Sequence, residues 1–193
     1  MPTGRLEAFS DGVFSILITI MVLELKVPHG TGLEALRPMV PSFLTYVLSF
    51  VFLGIYWNNH HHMLHLTERV TGGIMWANLH LLFWLSLVPF AMGWMSENHF
   101  DSLPTAVYAS VLLCAGLAFT ILSRTIIASQ GPQSRLRQSV GPDTKGNVSL
   151  VIYIAAIPLA FVNRYISDLL LVSVALLWLV PDRRIESKLN TPQ

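Results

Sequence analysis

The strongest constraint on this chain is where its charges lie. Only 12% of its 193 residues are Asp, Glu, Lys or Arg, about half of the ~25% usual in soluble domains. Those charges collect in short polar breaks between apolar runs. A hydrocarbon core of ~30 Å takes about 20 apolar residues, and backbone groups in lipid must satisfy one another, so such runs are helices. The pattern predicts an all-α integral membrane protein with six transmembrane helices, at about 6–27, 41–66, 72–95, 105–128, 148–162 and 166–180. Residues 1–193 then form one six-span domain, because no polar stretch is long enough to bury a core of its own. The last two runs are short and need tilt or extension into their flanks to cross, with Asn163-Arg164 as the hairpin tip between them. The fourth, apolar all round, is expected against lipid or neighbouring helices.

Several function classes drop out. The net charge of +1 comes with no basic patch able to neutralise a row of phosphates, so no nucleic-acid partner is expected. The single cysteine, Cys114, lies in an apolar run and reads as a small buried thiol. The first apolar run follows an acidic motif and ends in Lys26-Val27-Pro28, which does not fit a cleaved signal peptide. With six spans, Arg5, Arg69, Arg124, Arg135, Arg137, Lys145, Arg183, Arg184 and Lys188 fall on one side of the membrane. Lys26, Arg37 and Arg164 fall on the other. Nine against three places both termini in the cytoplasm of a multi-pass cell-membrane protein.

The first span alone begins with a charged head, Arg5-Leu6-Glu7-Ala8-Phe9-Ser10-Asp11. A carboxylate at the edge of a membrane helix is costly and marks a functional site by default. Asp11, His60 and Asn78 each lie six residues from the cytoplasmic end of their span, and equal offsets on helices mean similar depths. They are expected to form one hydrogen-bonded layer, with Ser10 and Trp57 as further donors. Headgroup-facing histidines and an ordinary interfacial tryptophan are the plainer reading of the same residues. His61 and His65 share a helix face, as in many metal sites, but no Cys, Asp or Glu accompanies them in span two.

The other side of the first helix differs. Each residue of a helix turns about 100°, so Phe9, Gly12, Thr19, Ile20, Leu23 and Val27 lie within roughly 60° of Ile16. Asp11 lies near 220°, on the opposite side. Gly12, Ser15 and Thr19 make this helix less apolar than the fourth, so it is expected in the interior.

Arg5-x-x-x-Phe9-Ser10-Asp11 resembles the signature of the transmembrane protein 175 family of potassium channels, found in bacteria, archaea and animal endosomes and lysosomes. Trp57-x-x-His60, and Asn78 with Pro89, also look like that family's pattern, and the length matches a single-repeat prokaryotic member. The resemblance implies a homotetramer in the lipid bilayer, its pore lined by the first helix of each subunit. Such channels lack the T-V-G-Y-G filter, and this sequence contains none. The positions that match the family's aliphatic constriction are Ile16, Ile20 and Leu23. Ser15 and Thr19 match hydroxyl positions for ion discrimination, with potassium ions passing near Ile16 and Thr19. Arg5, Phe9, Ser10, Asp11, Trp57, His60 and Asn78 match the signature and its supporting network. The function implied is passive, weakly potassium-selective conduction of monovalent cations through a hydrophobic constriction, with no enzyme activity and no cofactor beyond the permeant ion. The alternatives are a proton-coupled secondary transporter using Asp11 and His60, and a membrane metalloprotein built on His60, His61, His62 and His65.

Overall fold

Leu6, Ser10, Phe14, Leu17 and Met21 recur at helical spacing, and all five are buried on one face of the first helix. This is the first of a set of apolar helices in a computed structural model that describes residues 2–131, 134, 136–137 and 143–179. Helix α1 spans Thr3–Leu23. A 3-10 helix, Leu33–Met39, leads into α2, Val40–His65. Helices α3 (Gly72–Ser86) and α4 (Val88–Glu97) follow, then α5 (Ser102–Gln130), α6 (Thr144–Val162) and α7 (Arg164–Leu179). Among the described residues, five stretches are long and apolar enough to cross a membrane: α1, the 3-10 helix with α2, α3 with α4, α5, and α6. The described part of α7 has 16 residues, and Val180, the expected end of span six, lies outside the described residues. So do Arg135, Arg183, Arg184 and Lys188, four of the charges used to orient the chain.

Several boundaries depart from the hydropathy pattern, each for a local reason. Helix α1 begins at Thr3 and stops at Leu23, not Val27, because Val27 precedes Pro28 and is pushed away from helical geometry. Lys26 beyond it reaches Glu97 at the end of α4, 2.7 Å away. The third span is two helices. Pro89 has no N–H to offer the Leu85 carbonyl, and the helix is interrupted at Leu87. Helix α6 starts four residues before the apolar run, because the Asp143 side chain caps it by accepting from the Gly146 N–H at 2.9 Å. Asp101 caps α5 in the same way through Ser102.

The middle of the subunit is α5. Tyr108, Leu112, Ala115, Ala118, Leu122 and Ile126 have no exposed surface, and α5 packs against α3, α4, α6 and α7. Its all-round apolarity serves neighbouring helices. Helix α1 is at the edge, contrary to the expectation that its small residues put it inside. Gly12 is exposed, and a Cβ added there would meet nothing within 4 Å.

Candidate functional site on the first helix

Three arcs of α1 do three different things. The buried arc, Leu6 to Met21, faces the subunit core, and Ser10 is its only polar member. The Ser10 hydroxyl donates to the Leu6 carbonyl at 2.9 Å, so its oxygen is left to accept the Asn78 Nδ2–H from α3 at 3.0 Å. With its amide donor committed, Asn78 presents Oδ1 to His60 Nε2 of α2 at 2.7 Å. A carbonyl oxygen only accepts, so neutral His60 carries its proton on Nε2. All three side chains are completely buried, and the Phe14 ring lies 5.7 Å from the imidazole. This chain joins α1, α2 and α3 by polar contacts in an otherwise apolar layer.

The second arc faces α2, which runs antiparallel to α1. Asp11 Oδ1 accepts from Trp57 Nε1 at 2.9 Å. One turn toward the N-terminus, Glu7 Oε1 lies 2.6 Å from His61 Nδ1. Glu7 and Asp11 are four apart, as are Trp57 and His61, so the pairs form successive rungs between the two helices. Below them the Thr3 hydroxyl donates to the Thr67 carbonyl at 3.2 Å. The expected single polar layer is therefore two separate structures. Asp11 is turned away from Ser10 by one residue's rotation, about 100°, and its partner is Trp57 rather than His60 or Asn78.

The Glu7–His61 rung was not foreseen. Span two contains no acid, but α1 supplies one across the interface, and only the register of the two helices reveals it. The His61 ring also stacks on His65, with centroids 6.3 Å apart. Among the described residues, no group of three or more His, Cys, Asp and Glu side chains is arranged to hold a metal ion. The acid beside His61 comes from α1 and is Glu7.

The third arc faces out of the subunit. Phe9, Ile16, Ile20 and Leu23 are 53%, 59%, 41% and 76% exposed, with Gly12, Ser15 and Thr19 exposed among them. The Thr19 hydroxyl donates to the Ser15 carbonyl at 2.9 Å, which leaves its oxygen lone pairs facing outward. The Arg5 side chain is exposed and takes no hydrogen-bond or ion-pair partner among the described residues.

The family described as "Endosomal/lysosomal potassium channel TMEM175" matches residues 5–89. A potassium channel of Chryseobacterium sp. (strain P1-3) is 49% identical over 190 residues, which is 98% of this chain and 99% of that one. The chain belongs to the TMEM175 family. Its fold agrees with the crystal structure of a lysosomal potassium-selective channel TMEM175 homologue from Chamaesiphon minutus, with a TM-score of 0.79 and 30% identity over 94% of this chain and 97% of that chain. The endosomal/lysosomal proton channel TMEM175 of Gallus gallus is 34% identical over 105 residues, 48% of this chain and 21% of that protein. TMEM175 proteins are ion channels and not enzymes, and this member is a multi-pass membrane protein. The TMEM175 match begins at Arg5 and ends at Pro89, so it takes in α1 from Arg5 onward, both rungs, the buried chain and the break after α3.

Proposed function

We propose that this protein is a potassium channel that conducts passively through a pore lined by α1 of several copies, four in the simplest assembly. The observation that carries the reading is the third arc of α1. A long apolar stripe with two hydroxyls is exposed on a helix whose opposite face is locked into the subunit. In the assembly Ile16, Ile20 and Leu23 form successive aliphatic rings around the axis, and six spans per copy place both termini in the cytoplasm. Such rings gate by dewetting and favour the cation that sheds its water more easily, so potassium over sodium by a modest factor. The Thr19 oxygen, its proton committed to Ser15, points outward and can replace part of the lost hydration. Ser15, one turn before it, offers a second oxygen. The buried chain and the rungs hold α1 in place and stay off the ion path.

Names of relatives supply support of two kinds: bacterial relatives are called potassium channels and vertebrate ones proton channels. The proton-coupled carrier reading needs Asp11 and His60 to exchange a proton, yet they take different partners, Trp57 and Asn78. The test is ion flux in proteoliposomes with a potassium gradient and a reporter of membrane potential. Rapid flux without a proton gradient, larger for potassium than for sodium, is expected. Ile16→Asn should raise flux several-fold and erode the preference, because a polar ring holds water in the constriction. Flux that stops when the proton gradient is collapsed would overturn the proposal.

A further inference from the structure

Helices α2 and α3 form a pair tied by the His60–Asn78 hydrogen bond of 2.7 Å. The subunit itself covers both flanks of this pair. Trp57 and His61 meet α1 on one flank. On the other, Tyr56 donates to the Leu112 carbonyl of α5, and a Cβ added at Gly73 would lie 3.6 Å from Thr125. The outer ends of the pair are bare. Asn58 comes two residues before His60, and His80 two residues after Asn78. Two residues turn a helix by about 200°, so Asn58 points away from α3 and His80 away from α2. Both side chains are exposed, with Leu44 and Val47 exposed at the α2 end and Trp76 and Phe83 at the α3 end.

Both polar groups lie inside the membrane and at one depth. Asn58 is seven residues from the end of α2 at His65, and His80 eight from the start of α3 at Gly72. At 1.5 Å per residue each is about 10–12 Å in from the cytoplasmic edge. The helices are antiparallel, so both residues sit about 3 Å beyond the His60–Asn78 bond in the same direction. Their chemistry is complementary. Trp84 Nε1 donates to His80 Nε2 at 3.0 Å, so the neutral imidazole carries its proton on Nδ1 and has a donor to spare. Asn58 takes no hydrogen bond among the described residues, which leaves its Oδ1 as a spare acceptor. Against hydrocarbon both groups would stay unpaired at a cost, whereas helices packed in a membrane satisfy such groups across their contacts. Within one subunit they cannot meet, because they lie at opposite ends of the pair.

We infer that Asn58 Oδ1 of one subunit accepts the Nδ1–H of the partner subunit's His80, so that the bare α2 end of each copy packs on the bare α3 end of the next. This rests on the α1-lined pore proposed above and supplies the contact between its copies. Head-to-tail contacts close into a ring when the rotation allows, and this ring keeps α1 on its inside and α5 on its outside. Native mass spectrometry of the solubilised protein at falling concentration tests the pair. Asn58→Leu and His80→Leu should each lower the surviving oligomer several-fold, and the two combined should do no more than either alone, because both break one bond. Asn58→Leu that leaves the oligomer unchanged overturns the pair and puts Asn58 against lipid; fully additive losses overturn it too. Asn58→Cys with His80→Cys, in a Cys114→Ala background, should be linked by a short bis-methanethiosulfonate in membranes into multimers up to the closed ring. Either cysteine alone should leave single chains. Dimers from a single variant, or single chains from the double, overturn the head-to-tail contact. If the double variant does not assemble, the leucine variants decide. Potassium flux from the unaltered protein alongside a failed pair leaves the channel standing without this interface. A linked ring that conducts nothing leaves the interface and removes the channel.

Discussion

Helix α1 is fastened to its subunit in two ways that use similar chemistry in different surroundings. On the core side, Ser10, Asn78 and His60 form a chain with no exposed surface. On the α2 side, Glu7–His61 and Asp11–Trp57 form rungs whose members keep access to the surroundings. The His61 and Glu7 side chains are 43% and 23% exposed, and Trp57 is 44% exposed. In the rungs a lost partner can be replaced by water or a lipid headgroup. In the chain nothing replaces it, so the removal of one member strands the others. Charge is the more visible feature of the sequence, but burial decides which contact matters more. The rungs are the weaker fastening, and the buried chain is the stronger.

The largest effect is expected from Asn78→Leu. It removes two hydrogen bonds at once and leaves the His60 N–H and the Ser10 oxygen buried without partners. A loss of about 2 kcal/mol follows, at the upper end for interhelical hydrogen bonds in membranes because both neighbours stay stranded. Thermal unfolding of the detergent-solubilised protein measures it. Asp11→Ala comes next, at about 1 kcal/mol, since the Trp57 N–H can turn to headgroups or water. Should Asp11→Ala prove as damaging as Asn78→Leu, the division between buried chain and exposed rungs is wrong. Glu7→Gln should cost less than about 1 kcal/mol, and the difference from the unaltered protein should shrink as salt is added, as for other partly exposed ion pairs. A salt-independent loss would mean that the rung is dry. Lys26→Gln should change stability least. The Lys26 ammonium is held above its ordinary pKa by Glu97, but it is fully exposed. Its contribution is present below the lysine's ordinary pKa and lost only as pH rises through the raised value, so none of the change falls near neutral pH. An unfolding midpoint slightly below the unaltered protein's at neutral pH, with the difference vanishing in strong alkali, is the expected result.

The same contrast marks what could be read without coordinates. Depth was legible: a helix advances a fixed distance per residue, and equal offsets from the membrane edge put Asp11, His60 and Asn78 at one level, where His60 and Asn78 do meet. The outward stripe of α1 was legible for a similar reason, since rotation per residue is fixed, and Phe9, Ile16, Ile20 and Leu23 lie on one line. Partner choice was not. Asp11 is adjacent to Ser10 in sequence, yet one residue's rotation sends it to a different helix. Glu7 and His61 carry no local sign of each other, because their meeting depends on how α1 and α2 slide and turn against one another.

By itself, the sequence determined the membrane class, the apolar helices and the chemistry of each face of α1, because these follow from composition and helical period within single segments. It also carried the family signature, from Arg5 to Pro89. The tertiary structure decided that α5 and not α1 sits in the middle of the subunit, and that the polar residues divide into a buried chain and two exposed rungs. It decided too that Asn58 and His80 face outward from opposite ends of the α2–α3 pair. Each of these depends on which helices touch and in what register. Many apolar helices fit a bilayer equally well one at a time, and only the packing of one against another distinguishes among their arrangements.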